Sequence, residues 1–144
     1  MKLVSEKLGA LQYKASEVIT FPEGILGFPG KNRYVFVNHR KESPFKWLQS
    51  VDDPSLSFVV INPLLFKRDY QIEIKREDLR ILKDSDPAHL TIWTLVSFSP
   101  EVPEKSTVNL LGPLVVNQVT RLGRQLVLDP IKYELRYPLF QEKG

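Results

Sequence analysis

The sequence predicts an all-β, mainly antiparallel fold: a small β-barrel-like single domain with at most one or two short helices. Three observations predict it. Short runs of β-branched and aromatic residues recur along the chain, some with a two-residue period. Eleven prolines punctuate those runs, and proline, which lacks the ladder donor, belongs at strand ends and edges. Only one stretch carries helical spacing. Strands this short and this often interrupted suit a sandwich or a small barrel. At 144 residues the chain is the length of one domain, 1–144. It can bury a core without metal or disulfide support.

The elements follow in order. Tyr34-Val-Phe-Val-Asn38 is a β-branched and aromatic run ending in a polar breaker. Leu56-Ser-Phe-Val-Val-Ile61 is nearly all apolar, so it is expected to be buried on both faces or deep in a closed barrel. Tyr70-Gln-Ile-Glu-Ile74 alternates, with Tyr70, Ile72 and Ile74 on one face and Gln71 and Glu73 on the other. Residues 75–82 place Leu79 and Leu82 three apart, enough for one or two helical turns. Leu90-Thr-Ile-Trp-Thr-Leu-Val-Ser97 is the longest strand candidate. Leu114-Val-Val-Asn117 and Gln125-Leu-Val-Leu128 read as a hairpin around Arg121-Leu-Gly-Arg124, with Gly123 supplying a positive φ. No repeat or low-complexity linker divides the chain.

Composition narrows the function classes. Apolar residues make up 42% and charged residues 26%, as in ordinary soluble domains. The absence of cysteine excludes disulfides, thiol chemistry and thiolate metal sites, and fits a reducing cytoplasm. Lys2, Glu6, Lys7 and Lys14 interrupt any signal-peptide core. No run approaches the roughly 20 apolar residues of a membrane-spanning helix. The expected location is cytoplasmic, away from the membrane. Basic residues exceed acidic ones by three (20 against 17), but they are dispersed. That describes a mixed solvated surface rather than the basic stripe of a nucleic-acid binder.

The catalytic inventory is empty. His39 and His89 each sit beside a turn, without a neighbour at metal-ligand spacing. No nucleophile elbow or phosphate loop occurs. Asp52 and Asp53 read as turn formers before Pro54. The expectation is no enzyme, no metal and no cofactor. Glu73, on the polar face of its alternating run, is the one carboxylate placed to meet a basic partner, although a solvated strand residue looks the same in sequence. Phe36, Phe58 and Trp93 read as core. Phe45-Lys-Trp47 and Phe66-Lys-Arg-Asp-Tyr70 interleave aromatic and basic residues, which keeps an RNA-binding β-barrel as the alternative.

Two loop signatures remain. In Phe21-Pro-Glu-Gly-Ile-Leu-Gly-Phe28, Gly24 and Gly27 permit tight turns, while Ile25, Leu26 and Phe28 are too apolar for a freely solvated loop. They either fold back on the core or form a contact site. In Asn109-Leu-Leu-Gly-Pro-Leu-Val-Val-Asn117, Asn109, Pro113 and Asn117 are expected to fix turns.

These segments, in one order with Leu48-Gln-Ser50, Asp53-Pro54, Phe58-Val-Val-Ile-Asn-Pro63, Tyr70-Gln-Ile-Glu-Ile74 and Gly123-Arg-Gln-Leu-Val-Leu128, resemble the flagellar assembly factor FliW family from about residue 10 to about Leu139. Gly112 stands where that family often has alanine, and Gln71 where an acid can stand. The resemblance implies a monomeric, non-catalytic β-barrel-like protein. It binds flagellin in the cytoplasm, chiefly through flagellin's terminal helical region. It also antagonises CsrA, a dimeric RNA-binding repressor of flagellin translation, by partner switching. No direct contact with nucleic acid is implied. The expected partner-binding residues are Phe21, Glu23, Ile25, Leu26 and Phe28 of the loop, with Tyr70 and Glu73. Gly24, Gly27, Asn109, Pro113, Asn117 and Gly123 are the expected structural motif.

Overall fold

The computed structural model describes residues 1–38 and 40–140; His39 lies outside them. A first hairpin, β1 (Lys2–Ser5) with β2 (Gly9–Gln12), turns at Gly9, whose φ of 74° needs a residue without Cβ. The remaining strands are β3 (Ile19–Thr20), β4 (Arg33–Asn38), β5 (Phe45–Ser50), β6 (Ser57–Ile61), β7 (Leu90–Ser97), β8 (Thr107–Val108), β9 (Leu114–Asn117), β10 (Leu122–Gln125) and β11 (Tyr137–Pro138). They form one sheet in the order β11-β8-β7-β6-β5-β4-β3-β10-β9. An added pairing of β9 with β7 closes seven of them into a barrel. Closure removes the barrel's own sheet edges. All pairings are antiparallel except β3 with β10, which meet at Thr20 and Leu122. The all-β, mainly antiparallel fold read from the sequence is therefore the fold of the molecule. Pro138, the proline inside a strand, sits in the outermost one, where no ladder donor is missed.

Alternation along the strands sorts residues between two sides. Ile19, Phe21, Tyr34, Leu48, Val60, Leu114 and Val116 form one buried cluster with Phe36, Phe58, Trp93 and Leu95 against it. Val115, on the other side of β9, packs with Leu82 and Leu126. The run ending in Ile61 is split in the same way, Val60 in the first cluster and Ile61 in a separate one with Tyr70, Val108 and Leu110. This two-sided burial explains why both runs read as almost wholly apolar. Helix α1 (Arg76–Leu82) supplies the cover for β9. It starts where Asp78 Oδ2 accepts the Lys75 amide at 2.8 Å, and it stops at Lys83 in the left-handed conformation.

The structure corrects the sequence reading at three places. Residues 70–74 are not a strand. The alternation holds, with Tyr70 buried, Ile72 and Ile74 half-buried, and Gln71 and Glu73 exposed. The segment pairs with no strand because side chains hold it instead: Tyr70 Oη donates to the Leu110 carbonyl at 2.7 Å and Tyr133 Oη to the Gln71 carbonyl. The strand that pairs with β9 is Leu122–Gln125, not residues 125–128. Its ladder stops opposite Pro113, which accepts from the Leu126 amide at 2.9 Å but has no N–H to return. Third, Gly123 does not have a positive φ; Arg121 does, at 59°. The hairpin turn is built by Asn117, whose Oδ1 accepts the amides of Val119 and Thr120, both at 2.9 Å. Glycine is needed at 123 for space. A Cβ there would lie 2.5 Å from the Phe21 ring.

Candidate functional site: a groove between the 21–28 loop and the 70–78 segment

The 21–28 loop leaves β3 through Phe21, which is fully buried edge-on to Tyr34, ring centroids 5.7 Å apart. Gly24 and Gly27, at φ 75° and 90°, turn the chain back on itself, and Ile25 and Phe28 form a bridge across the second turn. Ile25 is 2% exposed and points into the barrel cluster. Phe28 lies over Phe58, centroids 4.9 Å apart. Leu26 is left outside, 68% exposed, with its amide held by Gln125 Oε1 at 2.8 Å. Gln125 Nε2 donates onward to the Gly112 carbonyl at 3.0 Å, and Asn109 Oδ1 accepts the Gly112 amide at 2.8 Å. The two loop signatures are thus tied together through one glutamine.

Beside this loop lies an open groove of about 860 Å³. Glu23, Gly24 and Leu26 line one part, Gln71, Ile72 and Glu73 another, and residues 124–129 a third. The loop and the alternating segment, 45 positions apart in sequence from Leu26 to Gln71, therefore share one surface. Arg124 pins them. Its Nε lies 2.9 Å from Asp78 Oδ1 on α1, and its Nη1 lies 3.5 Å from Glu23 Oε2 on the loop. Lining carboxylates (Glu23, Glu73, Glu77, Asp78, Asp129) outnumber lining cations (Lys75, Arg124, Lys132) five to three, although the whole chain is net positive by three. A groove of opposite sign to its protein selects cationic partners.

Of the residues read as contact candidates, Glu23, Leu26 and Glu73 face the groove. Phe21, Ile25 and Tyr70 are at most 4% exposed and support it from beneath. Burial pushes the Tyr70 phenol far above its ordinary pKa, so it remains a donor to Leu110. Arg124, Asp78, Gln125 and Val127 were not legible as site residues, because their partners come from distant elements rather than from a local spacing.

The remaining candidates for chemistry lie elsewhere. His89 Nδ1 is 2.5 Å from Asp84 Oδ2, and its Nε2 is 3.5 Å from Asp86 Oδ2, carboxylates the sequence reading did not assign to it. The Asp84 hydrogen bond raises the imidazole pKa. Asp84 is held down to about 2, first by the Asp86 amide and then by His89. Among the described residues no group of three His, Cys, Asp or Glu side chains is arranged to hold a metal ion, and no helix is long and apolar enough to cross a membrane. The aromatic–basic segments are engaged internally. Lys46 lies over the rings of Phe36 and Trp93, at 5.9 and 5.2 Å, and Phe66 stacks on Tyr137.

The fold defines a class of closed, mainly antiparallel seven-stranded β-barrels, here with a groove beside the 21–28 loop. A profile described as "FliW protein" matches residues 2–139. The flagellar assembly factor FliW of Natranaerobius thermophilus is 38% identical over all of this chain and 95% of its own length. That of Caldanaerobacter subterraneus subsp. tengcongensis is 39% identical over 99% of this chain and 95% of its own. A crystal structure of the flagellar assembly factor FliW superposes with a TM-score of 0.91 at 28% identity, covering both chains completely. The chain belongs to the FliW family. The family is named for an assembly role, not for a reaction.

Proposed function

We propose that this protein binds flagellin in the cytoplasm and, when flagellin is exported, binds and antagonises CsrA, relieving repression of flagellin translation. It acts as a monomeric, stoichiometric binder without catalysis or cofactor. The observation that carries the site is the shared groove. It gathers the exposed half of the 21–28 loop and the polar face of the 70–74 segment around one acidic surface. Apolar Leu26 and Val127 at its rim give a partner segment hydrophobic purchase. The engaged faces of Phe36, Trp93 and Phe66 speak for a protein partner over the RNA-binding alternative.

Titration calorimetry with purified CsrA and, separately, with flagellin tests this. Binding of both, with flagellin displacing CsrA, is expected. Binding of neither by a folded sample overturns the reading. Glu73→Lys is expected to weaken CsrA binding with the thermal midpoint nearly unchanged, since Glu73 is exposed. An unchanged affinity removes Glu73 from the site.

A further inference from the structure

We infer that the groove is a strand acceptor: it takes a cationic peptide segment in extended conformation, pairing main chain to main chain at Val127. This rests on the groove being the partner site. Leu126 and Leu128 donate their amides to Pro113 and Leu111, at 2.9 and 2.8 Å. In an antiparallel arrangement the residue between two such donors turns its own N–H and C=O the other way. Val127 is that residue, and its backbone groups have no backbone partner among the described residues. It is 70% exposed and lines the groove. Ile72 and Glu73, on the far part of the lining, also lie outside every strand ladder among the described residues.

The groove therefore offers what the closed barrel elsewhere removes, backbone groups at Val127 without a backbone partner among the described residues. An incoming strand satisfies those groups directly. The two-residue period of a strand also suits the walls. One side of the peptide meets exposed Leu26 and Val127, and the other turns toward Glu73 and Asp129. The carboxylate excess selects lysine or arginine on that second side.

The test uses a capped synthetic peptide alternating lysine and valine. Two controls accompany it: the same peptide N-methylated on alternate amides, and an isomer of equal composition with its valines at helical spacing. Residue-resolved amide exchange of the full-length protein is read by NMR. The alternating peptide is expected to bind, to slow exchange at Val127 by about tenfold or more, and to lose about tenfold in affinity on N-methylation, as for a main-chain hydrogen bond to a desolvated edge. Absence of binding, or equal binding by the helical isomer or the N-methylated peptide, overturns strand addition. Flagellin titrated into the same sample separates the two readings. Flagellin binding without peptide binding overturns strand addition and leaves the regulator standing; peptide binding without flagellin binding does the reverse.

Discussion

The run from Leu122 to Leu128 has two ends in opposite settings. At the first, Gly123 lies so close to Phe21 that an added Cβ would stand 2.5 Å from the ring. At the second, Val127 is 70% exposed, and its backbone has no backbone partner among the described residues. The 21–28 loop divides in the same way: Phe21 and Ile25 are buried in the barrel, while Glu23 and Leu26 reach the groove. Buried and groove-facing residues are interleaved along single segments. A family signature that runs through such a segment carries both kinds, and only burial separates them.

The comparison breaks most readily at the packed end. Phe21→Ala removes a fully buried ring, and large-to-small changes of this kind cost about 3–5 kcal/mol. Gly123→Val is expected to destabilise comparably, because the obstructing atoms are a ring locked in the core rather than a flexible tip. Denaturant unfolding checks both. A loss below about 1 kcal/mol for either variant would show the packing to be far more yielding than these distances indicate.

At the open end the expected effect moves from stability to binding. Leu26→Asp is expected to weaken partner binding by about tenfold, equal to about 1.4 kcal/mol, and to leave the unfolding midpoint within about 0.5 kcal/mol of the parent, as exposed substitutions do. Calorimetry and denaturant unfolding on the same sample separate the two quantities. A variant that loses stability and keeps its affinity assigns Leu26 to the fold.

Much of this division was legible in sequence, and the illegible part has physical causes. The strands Arg33–Asn38, Ser57–Ile61, Leu90–Ser97 and Leu114–Asn117 carry their own apolar runs, and helix α1 carries its leucine spacing. Strand β5 hid because polar residues occupy buried places in it. Gln49 is fully buried, accepting from Ser5 Oγ at 2.7 Å and donating to the Ser50 and Leu56 carbonyls. The 70–74 segment showed the right alternation and the wrong consequence: period two specifies an extended chain with one buried face, while ladder pairing depends on what lies beside it. Gly123 was read as a turn residue because sequence does not distinguish a glycine needed for φ from one needed for space. Of the groove, both long walls were visible as separate motifs. Their meeting was not, since Arg124, Asp78 and Glu23 come from three elements.

A smaller effect concerns the loop between α1 and β7. His89 has a raised pKa in the fold, so the stability it contributes is complete below its ordinary value of 6.5 and is lost as pH rises through the raised value. Asp84 works with the opposite sign. Its contribution is complete above the ordinary 3.8 and is lost as pH falls toward about 2. The thermal midpoint is expected to decline slightly from pH 6 to pH 9 in the parent, and this slope is expected to vanish in His89→Gln. A slope that survives the substitution assigns it to other groups.

The smallest expected effect returns to the glutamine that joins the two loops. In Gly112→Ala the new Cβ would stand 2.9 Å from Gln125 Nε2 and 3.2 Å from Asn109 Nδ2. Both are side-chain ends that can shift by a few tenths of an ångström, unlike the Phe21 ring beside Gly123. Gly112 also has no positive φ to forbid alanine, and restricting the unfolded chain returns about 0.4–1 kcal/mol. Net stability is therefore expected to change by less than about 1 kcal/mol. The shift is not silent, because Gln125 Oε1 holds the Leu26 amide at 2.8 Å. Moving that amide moves a groove residue, so partner affinity is expected to change by a few-fold, as about 0.5–1 kcal/mol does, while the unfolding midpoint stays near the parent's. If Gly112→Ala instead unfolds the protein as readily as Gly123→Val, residues 109–113 belong with the packed end of the molecule, and the division between fold and groove lies on the far side of Gln125.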